Sequence, residues 1–313
     1  MLVKLENVEE FLSNYVTEES IRFTAKNMYR RALEEIEDSK LKSKKKQRSL
    51  DTPPILAHTN PGARKICLVL HFGSEFFVYA KTKKGYSLAM NEIFNLELEG
   101  TFPDERIKSD WKKSGEGKPY IFLNQCEFTC WKSALEVGFE PLFEPNITAE
   151  EIQRKRRMGD ARLWYITGKP RFSKFVKHPC RVVVGSEELV PLLRQGVSYG
   201  EELDYITRCA LKGPSFVCEV NGQPVCWSGT HLSGAMGMIY TPVEHRRKGY
   251  AKSLAAFQID YMLKTVGIAV AHVMLGNRPS EQLLKEFGAQ HLPGTIVWRS
   301  LTWPKRKWKK LLS

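Results

Sequence analysis

The sequence predicts an α+β fold in the C-terminal part, residues 166–313, preceded by an α/β N-terminal domain, residues 1–165. Three observations lead there. The chain of 313 residues is long enough for two ordinary domains. In the second half, apolar and helical patterns follow the order strand, hairpin, strand, tight turn, helix, strand, helix, which needs one parallel crossover. And the turn ahead of the long helix is basic and holds a glycine, in Arg246-Arg247-Lys248-Gly249-Tyr250-Ala251.

Taken in order, residues 5–15 and 18–39 read as helices, the second with Thr17 as cap and Ile21, Ala25, Met28, Ala32 and Ile36 on one stripe. Residues 40–64 are basic, then proline-rich and polar, and read as a long connection. KICLVLH (65–71) and EFFVYAK (75–81) form a hairpin, PYIFLN (119–124) a further strand, and Cys126–Val137 a helix. Segments 162–168 and 180–185 are strands; Ser186 then caps one helix, and a second helix lies at 201–211. SFVCEV and QPVCWSGTH pair across Asn221-Gly222. Then come a strand at 234–241, a helix at 252–266, an apolar strand at 268–275 and a helix at 279–287. No internal repeat stands out by eye.

Composition excludes several classes. Hydrophobic residues make up 42% and charged residues 27%, as in soluble globular proteins. No apolar run approaches the roughly 20 residues of a membrane-spanning helix. The N-terminal stretch carries Glu6, Glu9 and Glu10, which fits neither a secretory signal nor a presequence; the expected location is cytoplasmic, with mitochondrial import left open. Seven scattered cysteines read as reduced and packed, and Cys126 with Cys130 lacks the second pair a zinc site needs, so no metal is expected. Asn146-Ile147-Thr148 matches a glycosylation acceptor that a cytoplasmic chain does not use.

Net charge is +13, concentrated in Lys42, Lys44, Lys45, Lys46 and Arg48 and in Lys305, Arg306, Lys307, Lys309 and Lys310. A solvated loop and tail is the preferred reading; contact with nucleic acid or an acidic membrane is the sharper one, unsupported by any nucleic-acid motif. Basic charge that attracts a coenzyme's phosphates is the third.

The chemistry lies in MIYTPVEHRRKGYAKSLAAFQIDYM. The first N–H groups of a helix lack intrahelical partners and the helix dipole adds positive charge there, so a diphosphate sits on bare main chain. Gly249 and Ala251 let that main chain come close, and Arg246, Arg247 and Lys248 surround the anion with charge.

Arg246, Gly249 and Ala251 in the pattern Arg-x-x-Gly-x-Ala resemble the acetyl-CoA signature of the GNAT N-acyltransferase superfamily. Asn277-Arg278-Pro279-Ser280 and Phe287-Gly288-Ala289 follow in place. Ile206-Thr207-Arg208-Cys209, Pro224-Val225-Cys226-Trp227 and the run on to Arg246 extend the resemblance, over about 201–291, to the glycine N-acyltransferases. The resemblance implies a GNAT-type fold in the C-terminal half, with the N-terminal half a degenerate GNAT-like copy. It implies an acyl-CoA (coenzyme A) cosubstrate and a small amine or amino acid such as glycine as acceptor. Ile239, Tyr240 and Thr241 would hold the carbonyl and pantetheine arm, Arg246, Arg247, Lys248, Gly249, Tyr250, Ala251, Lys252 and Ser253 the diphosphate, and Asn277 would lie near the arm.

Two positions depart from the family. Its general-base glutamate is Ala235 here, and the tyrosine that many GNAT enzymes use as acid is Leu284. Either His231, Glu244 or His245 handles the proton, or the amine arrives neutral and water relays it, or the domain binds acyl-CoA without turnover. Cys218 and Cys226 read as packed core, Trp227, Trp298, Trp303 and Trp308 as packing, and His272 as a satisfied core or edge histidine.

Overall fold

A computed structural model of the chain describes residues 3–4, 7–16, 18–42, 55–59, 67–72, 75–95, 111, 118–142, 160–197 and 203–312. Its strands are β1 (Val3–Lys4), β2 (Ile55–Thr59), β3 (Cys67–Phe72), β4 (Glu75–Ala80), β5 (Tyr120–Glu127), β6 (Glu140–Pro141), β7 (Ala161–Thr167), β8 (Cys180–Val184), β9 (Pro214–Val220), β10 (Gln223–Thr230), β11 (Met236–Tyr240), β12 (Ile268–Met274), β13 (Gln290–His291) and β14 (Ile296–Thr302). Its helices are α1 (Val8–Tyr15), α2 (Glu19–Lys42), α3 (Lys83–Asn95), α4 (Phe128–Val137), α5 (Val190–Gln195), α6 (Leu203–Lys212), α7 (Tyr250–Val266), α8 (Arg278–Glu286) and α9 (Lys305–Leu312).

All strands join one mixed sheet in the order β1-β2-β3-β4-β5-β14-β7-β12-β11-β10-β9-β8, with β6 on β14 and β13 on β7. The order of elements along the chain is followed twice. Each half has helices, antiparallel strands, a parallel step across a helix, and a late strand. The two parallel steps are β4 to β5 across α3 and β11 to β12 across α7; every other pairing is antiparallel. The late strands are exchanged at the centre. β7 pairs with β12 over its whole length, β14 pairs with β5, and the two touch at Ala161 and Ile296. β7 therefore runs through residues 165 and 166, where the sequence reading divided the chain.

Amphipathic patterning places the layers. On β12, Ile268 and Val270 pack with Val8, Leu12 and Ala25 from α1 and α2, whereas Ala269, Ala271 and Val273 pack with Ile259 and Leu263 of α7 and Leu284 of α8. Side chains alternate across a strand, so each face of β12 serves a different helix layer. A third cluster lies under α3 and α4 around Met90, Ile93, Trp131 and Trp303.

Most expected elements are present, including the β3–β4 and β9–β10 hairpins and the Ser186 cap, whose Oγ accepts from Glu188 N at 3.2 Å. Two readings are corrected, and two elements form in stretches the sequence reading left unassigned. The "connection" 40–64 contains strand β2, which pairs along β3; the prolines before it hid a five-residue apolar strand. Residues 83–95, which the sequence reading left unassigned, form α3. Residues 296–302 form β14, whose alternation is broken by Arg299; an ion pair with the buried Asp160 neutralises that charge. The basic tail is not a free solvated extension: α9 docks on the first half through buried Leu311, and Lys307 Nζ donates to Phe94 O at 2.9 Å. Thr17, residues 43–48 and Asn146–Thr148 lie outside the described residues. No helix among the described residues is long and apolar enough to cross a membrane.

Candidate active site

The basic turn joins β11 to α7. A short 3₁₀ turn, Val243–His245, closes on Pro242, and the chain then becomes irregular. Arg247 takes φ 64° and Gly249 φ 84°. The left-handed conformation suits glycine, and Gly249 as N-cap carries no side chain with which to cap the helix. From Arg247 to Lys252, no main-chain N–H has an acceptor among the described residues; the first to find one is Ser253, on Gly249 O at 3.0 Å. Six consecutive donors at a helix start, beside exposed Arg247 and Lys248, make an anion cradle.

The side chains around this turn divide the labour differently from the sequence reading. Arg246 folds back, its Nε donating to Thr241 O at 2.9 Å and its guanidinium 5.8 Å from the Tyr240 ring, so it shapes the turn. The Ser253 hydroxyl is buried and already engaged, accepting from Lys177 N at 2.8 Å and donating to Phe175 O at 3.2 Å. Lys252 pairs with Glu286 at 2.8 Å. Asn277 caps α8, its Oδ1 accepting from Ser280 N at 3.3 Å. Tyr250 is flanked by His178 at 4.5 Å and His245 at 6.3 Å between ring centroids. His178, which no sequence motif singles out, also reaches Lys248 O with Nε2 at 3.1 Å. It braces the turn from a segment seventy residues earlier, and no local pattern marks it.

Beneath the turn, Cys180, Cys218 and Cys226 lie in register across β8, β9 and β10. Burial pushes the Cys226 thiol up to about 12, and Thr241 Oγ1 donates to its sulfur at 3.1 Å. A hydrogen bond with Cys218, then burial, raises Cys180. The same hydrogen bond with Cys180 lowers Cys218. Cys218 and Cys226 are buried beside Phe216 and Leu254 and belong to the core, in keeping with their sequence reading.

Further up, β11 and β12 part. Their one parallel pair among the described residues is Met236 with Ala271. Beyond it β11 bulges: its pairing with β10 shifts between Trp227 and Gly229, and Met238 takes φ 54°. Ile239, Tyr240 and Thr241 follow this bulge, on the arm of the V that leads to the turn.

His231 stands at the vertex. Its Nδ1 lies 2.9 Å from Tyr205 OH, and its ring presses on β11 so closely that a Cβ at Gly237 would fall 2.2 Å from His231 Nε2. The ring is half-buried, and burial pushes its pKa down to about 4. His272 is 6.1 Å away between centroids, with its pKa lowered to about 3 by burial and then by His231. The expectation that His272 is satisfied is overturned: its enclosed Nε2 has no hydrogen-bond partner among the described residues. Glu244 and His245 lie instead at the far end of β11, beside the anion cradle.

The two family positions that depart are both enclosed. Ala235 is fully buried in the cluster formed with α1 and α2, and Leu284 is buried against α7. Among the described residues, no group of three or more His, Cys, Asp or Glu could hold a metal ion.

Comparison with known proteins fits this layout. Residues 219–298, which run from the end of β9 into β14, match the family described as FR47-like protein. No curated protein sequence matches the chain at a significant level. Among solved structures, a Drosophila protein is 14% identical, covers 97% of this chain and 98% of its own, and superposes with a TM-score of 0.59. A GCN5-related N-acetyltransferase from Kribbella flavida (12% identity, 78% of this chain and 89% of that one, TM-score 0.41) is a looser match. So is a GNAT-family acetyltransferase from Colwellia psychrerythraea (10%, 87% and 96%, TM-score 0.41). The family match is confined to residues 219–298, and the superposition on the Drosophila protein shows a shared mixed α/β fold over nearly the whole of both chains.

Proposed function

We propose that the protein is an N-acyltransferase that moves an acyl group from acyl-CoA to the amine of a small acceptor such as glycine or another amino acid. One observation carries the reading: the unpartnered main-chain donors from Arg247 to Lys252 open α7 at the end of a strand that has separated from its parallel neighbour. In this reading the diphosphate of coenzyme A lies on those donors. The pantetheine arm runs back along Thr241, Tyr240 and Ile239, and the thioester reaches the V near Gly237. Main-chain N–H groups of the parted strand supply hydrogen bonds to the developing oxyanion. His231 is the proton acceptor nearest that vertex, ahead of Glu244 and His245 at the opposite end. The acceptor's amine attacks the thioester carbonyl as its C–N bond forms; the tetrahedral adduct then expels the thiolate, which takes up the proton.

The test is a thiol-release assay over a panel of acyl-CoAs and amino acids, run beside calorimetric titration with coenzyme A. Gly249→Glu, which sets a carboxylate and a strained side chain into the cradle, is expected to weaken coenzyme A binding about 100-fold. Unchanged binding in that variant would overturn the reading. A second reading, an acyl-CoA binder without turnover, draws on buried Ala235 and Leu284 at the family's base and acid positions. Tight binding with no thiol release for any pair would favour it. A basic nucleic-acid or membrane-surface binder is the third reading, but α9 turns Lys307 inward onto Phe94 rather than outward.

A further inference from the structure

This inference rests on the transferase reading and concerns the acceptor side of the same site. His272 follows Ala271, the last β12 residue paired with β11, so it sits where the strands begin to part. It shares a face with Ile268 and Val270, the face covered by α2, opposite the layer of α7. α2 closes over the loop after His231: a Cβ at Gly234 would meet Asn27 Nδ2 at 2.8 Å and Phe23 at 3.0 Å. Trp298 flanks His272 at 5.4 Å. Two imidazoles, 6.1 Å apart between centroids, thus line the vertex from the side away from the anion cradle. One of them carries an enclosed nitrogen without a partner. Buried polar atoms are ordinarily hydrogen-bonded, and one left unpaired where two parallel strands part is a candidate ligand contact.

We propose that His231 and His272 together form the acceptor subsite and hold a primary amine, each imidazole accepting one of its two N–H bonds. With the His231 Nδ1–H donated to the Tyr205 oxygen, Nε2 is left as an acceptor facing β11. Burial keeps both rings neutral near pH 7, so each offers a lone pair rather than a competing positive charge. A primary amine held by both N–H bonds keeps its own lone pair free to attack the thioester carbon. As the C–N bond forms, the carbonyl π pair moves to oxygen; collapse breaks the C–S bond, and the amine proton passes through His231 to the departing thiolate. A secondary amine has one N–H and leaves one imidazole unpaired.

The experiment compares glycine with N-methylglycine on native protein, His272→Phe and His272→Gln. With any acyl-CoA that supports thiol release, native protein should favour glycine by about tenfold or more in kcat/KM, the discrimination expected of a site that hydrogen-bonds the missing group. His272→Phe should collapse that ratio and leave the KM for acyl-CoA within about twofold. His272→Gln, which keeps an acceptor, should retain most of it. A ratio unchanged in folded His272→Phe, or equal use of both amines by native protein, overturns the proposal. A second arm needs no turnover: ¹⁵N spectra of the histidine rings, with coenzyme A present, while glycine methyl ester or its N-methyl counterpart is added. Ring shifts specific to the primary amine without thiol release would sink the transferase reading and keep the subsite. Absence of ring shifts with either amine would sink the subsite, whatever the thiol assay shows.

Discussion

The same tripeptide opens the crossover helix in both halves of the molecule, as Lys84-Gly85-Tyr86 before β5 and Lys248-Gly249-Tyr250 before β12. The outcomes differ. In the first half the helix begins at Lys83, so Gly85 lies inside it and Tyr86 is buried. Thr82 caps that helix, taking the Gly85 N–H on its Oγ1 at 3.1 Å and on its carbonyl at 3.0 Å. In the second half the helix begins after the glycine, Gly249 is left-handed, and six N–H groups stay open. The parallel strands tell the same story. Between β4 and β5 the Cys126 sulfur fills the gap, accepting from Val78 N at 3.3 Å and lying 3.5 Å from Phe76 O. Between β11 and β12 the pairing among the described residues is confined to Met236 and Ala271, with His231 against Gly237 and His272 next in line. A helix start shifted by a few residues, and a cysteine between two strands, separate a braced crossover from the proposed binding site.

The largest expected break of this contrast is Gly249→Glu against Lys84→Glu. The first should weaken coenzyme A about 100-fold and the second less than about twofold, measured by calorimetry, because only the second crossover carries the proposed anion site. A similar response from both would erase the distinction.

Next, Ala235→Glu tests whether the missing base can be restored. Its site is fully buried among Val8, Leu12 and Ala25, so the carboxylate should lower stability by about 3 kcal/mol or more rather than raise activity. Denaturant melts beside the thiol assay decide it. A stable variant with higher turnover would mean that this face is wetter than its packing implies.

Gly237→Ala drives a Cβ against His231. It should cut kcat/KM about tenfold or more, with coenzyme A affinity within about twofold, since the bulge lies away from the cradle.

The histidine pair also sets a pH dependence. Both folded pKa values are depressed, to about 4 and about 3, below an ordinary value of 6.5. The unfolded chain therefore binds more protons than the folded one between those values. Stability is full above pH 6.5 and is lost as pH falls toward 4. Thermal melts from pH 7.5 to 4.5 should show this slope, and it should flatten in the His231→Asn, His272→Asn double variant. Tyr205 and Trp298 flank the pair as uncharged neighbours.

The smallest effect belongs to the first half. Lys307→Ala removes one of two donors to the Phe94 carbonyl at the end of α3, leaving Trp303 Nε1 at 2.9 Å, and should cost about 1 kcal/mol or less without touching coenzyme A binding.

Much of this is legible in the sequence because local rules suffice for a hairpin, a cap or a basic turn. Asn221-Gly222 declares its turn, and Gly249 ahead of an apolar pattern declares a helix start. The sequence is silent where distant segments meet. Nothing near Arg299 announces that Asp160 will neutralise it, so β14 reads as no strand at all. His178 and His272 take their meaning from Lys248 and His231, seventy and about forty residues away. Ser253, placed on the diphosphate by its neighbours in sequence, is claimed instead by the segment around Phe175. The KGY repeat is invisible as a repeat because three residues are too few to weigh without the helix starts that give them context.

The exchange of β7 and β14 has a consequence for how the chain is made. β5 finds its neighbour in residues 296–302, some 170 positions later, so the first half cannot complete its sheet until synthesis is nearly finished. A nascent chain stalled earlier would display the bare edge of β5, a surface that invites chaperones or self-association. Neither half cut out alone would have all its strands, and mixing the two fragments should restore order that each lacks.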